Sequence, residues 1–261
     1  MKCKNTKALF FLNCLTIVMM TFCAATALAD SASVVNPQDP YEKFNRVMYR
    51  FNEMIDKLIL KPIASVYNAV LPNPVIRCFT NFYSNIDNVP TLANDLLQFN
   101  LYQAASDAWR LAINSTVGIV GLFDVASAIG LPPNTEDFGL TLARWGYKNS
   151  NYLVLPFFGP NTIRDAIGIP INYKYLTVYP YISPVSMRYW LYGGGVVVRR
   201  ADLLRFQEVL DQASVDKYVF MRDAYMQHRA YLIQHNEESA NVMPADAQHS
   251  DEETHQNDVS P

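Results

Sequence analysis

The stretch DPYEKFNRVMYRFNEMIDKLILK, Asp39 to Lys61, decides how the rest of the chain is read. Phe44, Val47, Met48, Phe51, Met54, Ile55, Leu58 and Ile59 recur at steps of three and four, which stacks them on one face of a helix. Its start is marked as well. Asp39 is placed to accept from the first turn, Pro40 suits the first helical position, and Glu42 completes an Asp-x-x-Glu capping box. Periodicity alone makes this an amphipathic helix, whose ordinary use is to pack against a core.

Downstream, Pro62 opens a second short helix that ends near Leu71, where Pro72 and Pro74 stop it. Asn73 and Pro74 start a third, reaching about Asn85 with Val75, Cys78, Phe79 and Phe82 on one side. Asn88-Val89-Pro90 reads as a break, followed by Thr91 to Phe99 and a longer helix from about Leu101 to Thr116. Val117 to Gly130, VGIVGLFDVASAIG, is shorter than the roughly 20 apolar residues a membrane span needs. That leaves a buried core segment or the wall of an apolar passage. Glu136 to Arg144 suggests a short helix, and Tyr152 to Phe158 has strand composition but is too isolated to define a sheet. Thr162 to Ile167 adds a helical turn or two. Ile169 to Pro184 is irregular, and its Tyr173, Tyr175, Tyr179 and Tyr181 suit either a membrane-water boundary or a packed surface loop. A helical pattern from Val185 towards Gln212 is interrupted by Gly193-Gly194-Gly195, which cost roughly 1 kcal/mol each against alanine. Close helix packing, a hinge or a lipid near the backbone would offset that. The last helix runs from Asp216 to about Gln234.

Half of the 261 residues are hydrophobic and only 17% are charged, against about 25% in an ordinary soluble protein. Such a chain has less water to face than usual. Residues 1–29 form an export signal, with Lys2, Lys4 and Lys7 ahead of an apolar run. Two processing sites compete: a cut after Ala29 in Ala27-Leu28-Ala29, or lipidation of Cys23 in an imperfect lipobox with Phe22 before it. Residues 30–235 make one helical domain of all-α class, and residues 236–261 an acidic tail of disordered composition. Residues 30–229 carry 18 basic and 17 acidic side chains, so no basic patch of nucleic-acid type exists.

Catalytic motifs are missing from the sequence. All four histidines, His228, His235, His249 and His255, fall in the last 34 residues, and neither GxSxG nor HExxH occurs. Cys78 is the single cysteine beyond the signal region, so no cysteine metal cluster can be built. Glu136 with Asp137, and Asp165 beside Arg164, suggest solvated or ion-paired groups. No cofactor motif appears, and the chain does not read as an enzyme.

DPYEKFNRVMYRFN resembles the opening of the MlaA/VacJ family of outer-membrane phospholipid-transport lipoproteins. RLAINSTVGIVGLFDVAS (110–127), EDFGLTLARWG (136–146), YLVLPFFGPNTIRDAIG (152–168) and YVFMRDAYMQHR (218–229) are similar to its later blocks, in the same order. The resemblance implies a ring of amphipathic helices in the inner leaflet of the outer membrane, pierced by a passage. Phospholipids would leave the outer leaflet through it for a soluble periplasmic carrier and an ATP-driven inner-membrane complex, beside a trimeric porin. It also implies positions: Val117, Gly118, Val120, Gly121 and Asp124 in the passage wall, Arg50 and Phe51 where the passage is controlled, Phe138, Gly139 and Gly146 at its mouth, and Arg188 near a phosphate. The family's Gly-x-Gly is half kept, since Tyr147-Lys148 follow Gly146. Two other readings stand beside this one: an adaptor lipoprotein that docks to a porin without conducting lipid, and a periplasmic lipid hydrolase.

Overall fold

The computed structural model describes residues 37–213 and 216–241, without the side chains of 205–213 and 238–241. The signal, both processing sites with Cys23, and the tail past Asn241 lie outside the described residues.

Helix α1 (Glu42–Ile55) forms where the periodicity places it, but its start is built differently. Tyr41 occupies the N-cap and no side chain caps the helix, so the Asp39 capping box is not made. Asp39 is instead buried, accepting from Asn45 Nδ2 at 2.8 Å and from the Tyr218 hydroxyl, with the Arg222 guanidinium 3.5 Å away. A buried carboxylate needs such partners more than a solvated helix end needs a cap. The face turned inward also differs from the apolar stripe. Asn45 is the buried residue of α1, whereas Val47, Met54, Leu58 and Ile59 are about half exposed or more.

Asn45 and Asn52, seven residues apart and so on one face, grip a neighbouring strand. Asn45 donates to Tyr152 O (3.2 Å) and accepts from Val154 N (2.8 Å); Asn52 donates to Leu155 O (2.8 Å) and accepts from Phe157 N (2.7 Å). The strand is β1 (Tyr152–Leu155), antiparallel to β2 (Gly159–Thr162). The segment from Tyr152 is therefore half of a hairpin rather than an isolated strand, stabilised on its second edge by helix side chains.

A π-helical segment, Asp56–Leu60, joins α1 to α2 (Lys61–Val70) without a break. Pro62 has no N–H to donate, and the wider turn, in which Lys61 N–H reaches Asp56 O, accommodates it inside a continuous rod. Helix α3 (Asn73–Leu97) likewise runs through Pro90, where a break was expected. Around that proline the Thr91 hydroxyl donates to Asp87 O and Asn94 Nδ2 to Pro90 O, side-chain bonds added to the helix ladder that do not replace the N–H Pro90 lacks.

The remaining elements are α4 (Leu101–Thr116), α5 (Val125–Ala128), α6 (Phe138–Arg144), α7 (Ile163–Ile171), a π-helical Asn172–Leu176, a 3-10 turn Tyr179–Tyr181, α8 (Val185–Ala213) and α9 (Lys217–Asn241). Helix α9 extends past the tail boundary set from composition. Contacts form a closed circuit: the α1/α2 rod meets α8, α8 meets α3, α3 meets α6, α6 meets α7, and α7 meets the hairpin that α1 holds. Helix α4 packs along α3, and α9 against α6 and β2.

Close approaches in this circuit use glycine. At Gly194 a Cβ would lie 2.3 Å from the Tyr83 hydroxyl, and at Gly195 3.1 Å from the Tyr83 ring, so α8 stays one helix through its three glycines and packs on α3 there. A Cβ at Gly139 would fall 2.2 Å from Asp165 Oδ1, in a network where Arg229 bonds Asp137 (2.6 and 3.1 Å) and Asp165 (2.6 Å), Arg164 bonds Asp165, and Tyr225 donates to Asp165. The Asp137 and Asp165 pairs are thus ion-paired inside the protein.

Buried acids also occur without a base. Burial, with Asp107 alongside, pushes the Asp95 carboxyl well above the ordinary range, and burial pushes Glu136 up to about 7. Asn134 Nδ2 bridges Asp95 and Asp107 at 3.4 and 3.3 Å, and Gln98 Nε2 donates to Glu136 at 2.7 Å.

Two outcomes follow from this packing. Gly193 faces open space, so Gly193→Ala should stabilise the detergent-solubilised protein by about 0.5–1 kcal/mol, while Gly194→Ala should cost about 1–3 kcal/mol, read by chemical denaturation. Because folding raises the Glu136 pKa, its contribution is fully present below about pH 4.5 and is lost as pH rises through about 7. The stability difference between wild type and Glu136→Gln should therefore fall by at most about 3 kcal/mol across that window, measured by melts at each pH.

Candidate functional site

Among the described residues, more polar or charged side chains are buried (19) than hydrophobic ones (13), the reverse of an ordinary interior. The large apolar side chains are outside. Phe99, Trp190, Phe157, Tyr181, Tyr102 and Tyr189 are each 70% exposed or more, joined by Leu58, Trp109, Val117 and Val120 above 60%. An apolar surface of that extent marks contact with lipid or protein. No described helix is long and apolar enough to cross a membrane.

Inside lies a cavity of about 420 Å³, bounded by α3, α4, residues 133–136 and α8. One face of α3 supplies Thr80, Asn81, Ser84, Asn85, Asp87, Asn88 and Thr91, a helical spacing that continues through Pro90. Facing it are Arg110, Asn114 and Asp124, then Asn134 to Glu136, then Arg199 and Asp202. Arg110 reaches the Leu131 carbonyl, Ser127 Oγ (3.1 Å) and Asp124 (3.3 Å). Burial works against ionised Asp124, but bonds from Ser127 and Asn114 and the Arg110 charge hold its carboxyl below the ordinary value. At Asp87 burial prevails and raises the carboxyl, against the Arg199 guanidinium that binds it. For Arg199 burial is again the largest single effect and opposes the charge, but the Asp87 carboxylate together with Tyr179 and Tyr192 raises the guanidinium above its ordinary value.

Beside the cavity, residues 117–123 form a loop with an unusual backbone. Ile119 (φ 53°) and Val120 (φ 57°) both take the left-handed conformation, rare for β-branched residues. Val120 N and Gly121 N donate to Ser115 O and Asn114 O, and Asn81 Nδ2 donates to Leu122 O. A Cβ on Gly121 would lie 2.5 Å from the Asn85 side chain, so this glycine seats the loop on the cavity wall. Val117, Ile119, Val120 and Phe123 point outward, each more than half exposed.

Of the positions carried by the resemblance, Asp124 lines this cavity and Gly121 backs onto its Asn85. Gly118 is enclosed by its own loop, where a Cβ would lie 2.3 Å from Phe123 O. Arg50 is exposed on α1, and Phe51 meets Phe157 edge to face at 5.2 Å. Phe138 stacks edge-on against Trp145, Gly139 adjoins the Arg229 network, and Gly146 ends α6 at positive φ. Arg188 donates to Pro180 O (2.8 Å) and Ile182 O (3.3 Å), fastening the tyrosine-rich segment. That segment exposes Tyr173, Tyr175 and Tyr181 and buries Tyr179. The polar face of α3 was missed by the sequence reading. Its signal was present as Asn81, Asn85, Asn88 and Thr91 at steps of three and four, but the supposed break at Pro90 divided it.

Known proteins match most of this chain. Residues 37–232 match the family model described as MlaA lipoprotein. A Rickettsia felis protein is 36% identical over 76% of this chain and 79% of its own length. The intermembrane phospholipid transport system lipoprotein MlaA of Escherichia coli is 33% identical over 74% and 78%, and that of Haemophilus influenzae 31% over 89% and 94%. A chain solved in work on the structural basis for maintenance of bacterial outer membrane lipid asymmetry superposes with TM-score 0.63 at 30% identity, over 75% of this chain and 98% of that one. With its helical architecture and most of its length matched, this chain belongs to the MlaA lipoprotein family.

Proposed function

We propose that this protein is the outer-membrane component of an intermembrane phospholipid transport system. It lies in the inner leaflet of the outer membrane, draws mislocalised phospholipid from the outer leaflet through its polar cavity, and passes it to a soluble periplasmic carrier, beside a trimeric porin. The carrying observation is the distribution of side chains: a cavity lined largely by amides, hydroxyls and charged groups, with aromatic and aliphatic groups exposed on the outside. The closed circuit of helix and hairpin contacts supports a ring.

The physics favours such a device. Moving two acyl chains through water exposes roughly 30 methylenes, on the order of 25 kcal/mol. Moving a charged head group through hydrocarbon is also costly. A polar lumen for the head group, with the chains left against an apolar exterior, lowers both barriers without a covalent step. Asn and Asp side chains on the wall exchange bonds with the head group as water would.

A photo-crosslinker at Ser84, on the cavity wall, should capture phospholipid in outer-membrane vesicles, and one at exposed Gln227, in a groove lined by Asn149, Ser150 and Asp223, should not. Capture at neither position, or equally at both, overturns the lumen as the lipid route. The Cys23→Ala protein should still partition with detergent, since the exposed apolar side chains hold it there; a purely aqueous variant would contradict the embedding.

A further inference from the structure

The cavity wall carries four carboxylates, Asp87, Asp124, Glu136 and Asp202, against two guanidiniums, Arg110 and Arg199. Both guanidiniums are engaged. Arg199 Nη2 binds both oxygens of Asp87, and Arg110 is held by Asp124, Ser127 and the Leu131 carbonyl. The other two carboxylates form no ion pair among the described residues, and burial leaves Glu136 close to half-protonated at neutral pH, so Asp202 is the unpaired charge. Asp202 accepts from the Thr80 hydroxyl at 3.2 Å, and Glu136 from the Gln98 amide at 2.7 Å.

A neutral group adds to this imbalance. Asn85 donates to Ser115 Oγ at 3.1 Å, while its buried Oδ1 accepts from nothing. The unused capacity of the wall is therefore acceptor capacity, with an excess of negative charge. No grouping of acidic, His or Cys side chains among the described residues has the geometry to hold a metal ion. The arrangement suits an organic cation that carries N–H donors.

Resting on the lipid passage proposed above, we propose that this cavity selects phospholipids whose head group ends in a primary ammonium, the phosphatidylethanolamine class, over anionic phosphatidylglycerol. The ammonium donates to the Asp202 carboxylate, while the phosphate takes amide donors such as Asn81. A glycerol head group leaves the lipid with a net negative charge facing the unpaired Asp202 carboxylate. A choline head group carries the positive charge but no N–H.

The test uses the full chain with a photo-crosslinker at Ser84, in vesicles holding equal parts of phosphatidylethanolamine, phosphatidylglycerol and phosphatidylcholine, with captured lipid identified by mass spectrometry. Phosphatidylethanolamine should exceed phosphatidylglycerol by on the order of ten-fold, the effect of one charge-assisted hydrogen bond. Asp202→Asn should bring that ratio towards parity, and Asp202→Asn with Glu136→Gln should complete the loss; a ratio that stays at the wild-type value in Asp202→Asn overturns the role given to that carboxylate. Parity in the wild type, with lipid captured, overturns the head-group selection and leaves the passage standing. Absence of any captured lipid overturns the passage, and the selection with it. Displacement of the lipid by an equal concentration of soluble ethanolamine also counts against selection of a lipid, since the site would then take the amine alone.

Discussion

Two asparagines on α1 hold the fold's first joint. A strand edge leaves N–H and C=O groups that must find partners when buried, and a second strand or water usually supplies them. Here Asn45 and Asn52, one carboxamide above the other on the same helix face, supply both a donor and an acceptor to β1. Asn45 also bonds Asp39, which reaches Tyr218 and Arg222 on α9. One helix face thereby fixes the hairpin, the chain entry and the last helix. That face is polar, and Val47 and Met54 on the same helix lie outside while Met48 and Tyr49 pack on the Tyr152–Tyr218 cluster.

The same exchange of roles recurs through the molecule. Helix α3 turns amides and hydroxyls towards the cavity, and α6, α7 and α9 meet through Arg164, Arg229, Asp137 and Asp165 rather than through leucines. Buried ion pairs and amides are weak sources of net stability in water, because their desolvation offsets much of their attraction. A protein set in lipid has less hydrophobic gain available from turning its aliphatic side chains inward. Specific polar joints then define how the helices meet, and glycines at Gly139, Gly168 and Gly194 bring the partners within bonding distance.

Much of the helical pattern could be read from the chain, because it rests on local spacing. The starts of α3 and α4, the short α6, and the helical stretch from Val185 all follow from prolines, asparagines and apolar periodicity. Long-range partners could not be read in that way. The capping box at Asp39 failed because residues 179 and 183 positions away compete for the same carboxylate. The hairpin was hidden because Gly159-Pro160 looks like punctuation, and its second strand is only four residues long. Pro62 and Pro90 mark breaks by their usual rule, yet both helices continue through them, at Pro62 by way of a π turn. As for the cavity, Asp124 was legible through the resemblance. The facing wall was not, since nothing local in Asn81 or Asn85 says that its side of α3 is the inner one.

The left-handed pair Ile119-Val120 bears on how inside and outside are joined. Each residue bears a conformational strain of about 1–2 kcal/mol, opposed by backbone bonds to α4 and by the amide of Asn81. Their isoleucine and valine side chains meet the surroundings, while Gly121 one step further rests against Asn85 in the cavity. The loop is thus a short lever with one arm in the greasy exterior and its fulcrum on an amide of the lumen. Two wall amides meet this loop, Asn85 against Gly121 and Asn81 at the Leu122 carbonyl, so one turn of chain presents apolar side chains outward while its backbone rests on the cavity wall.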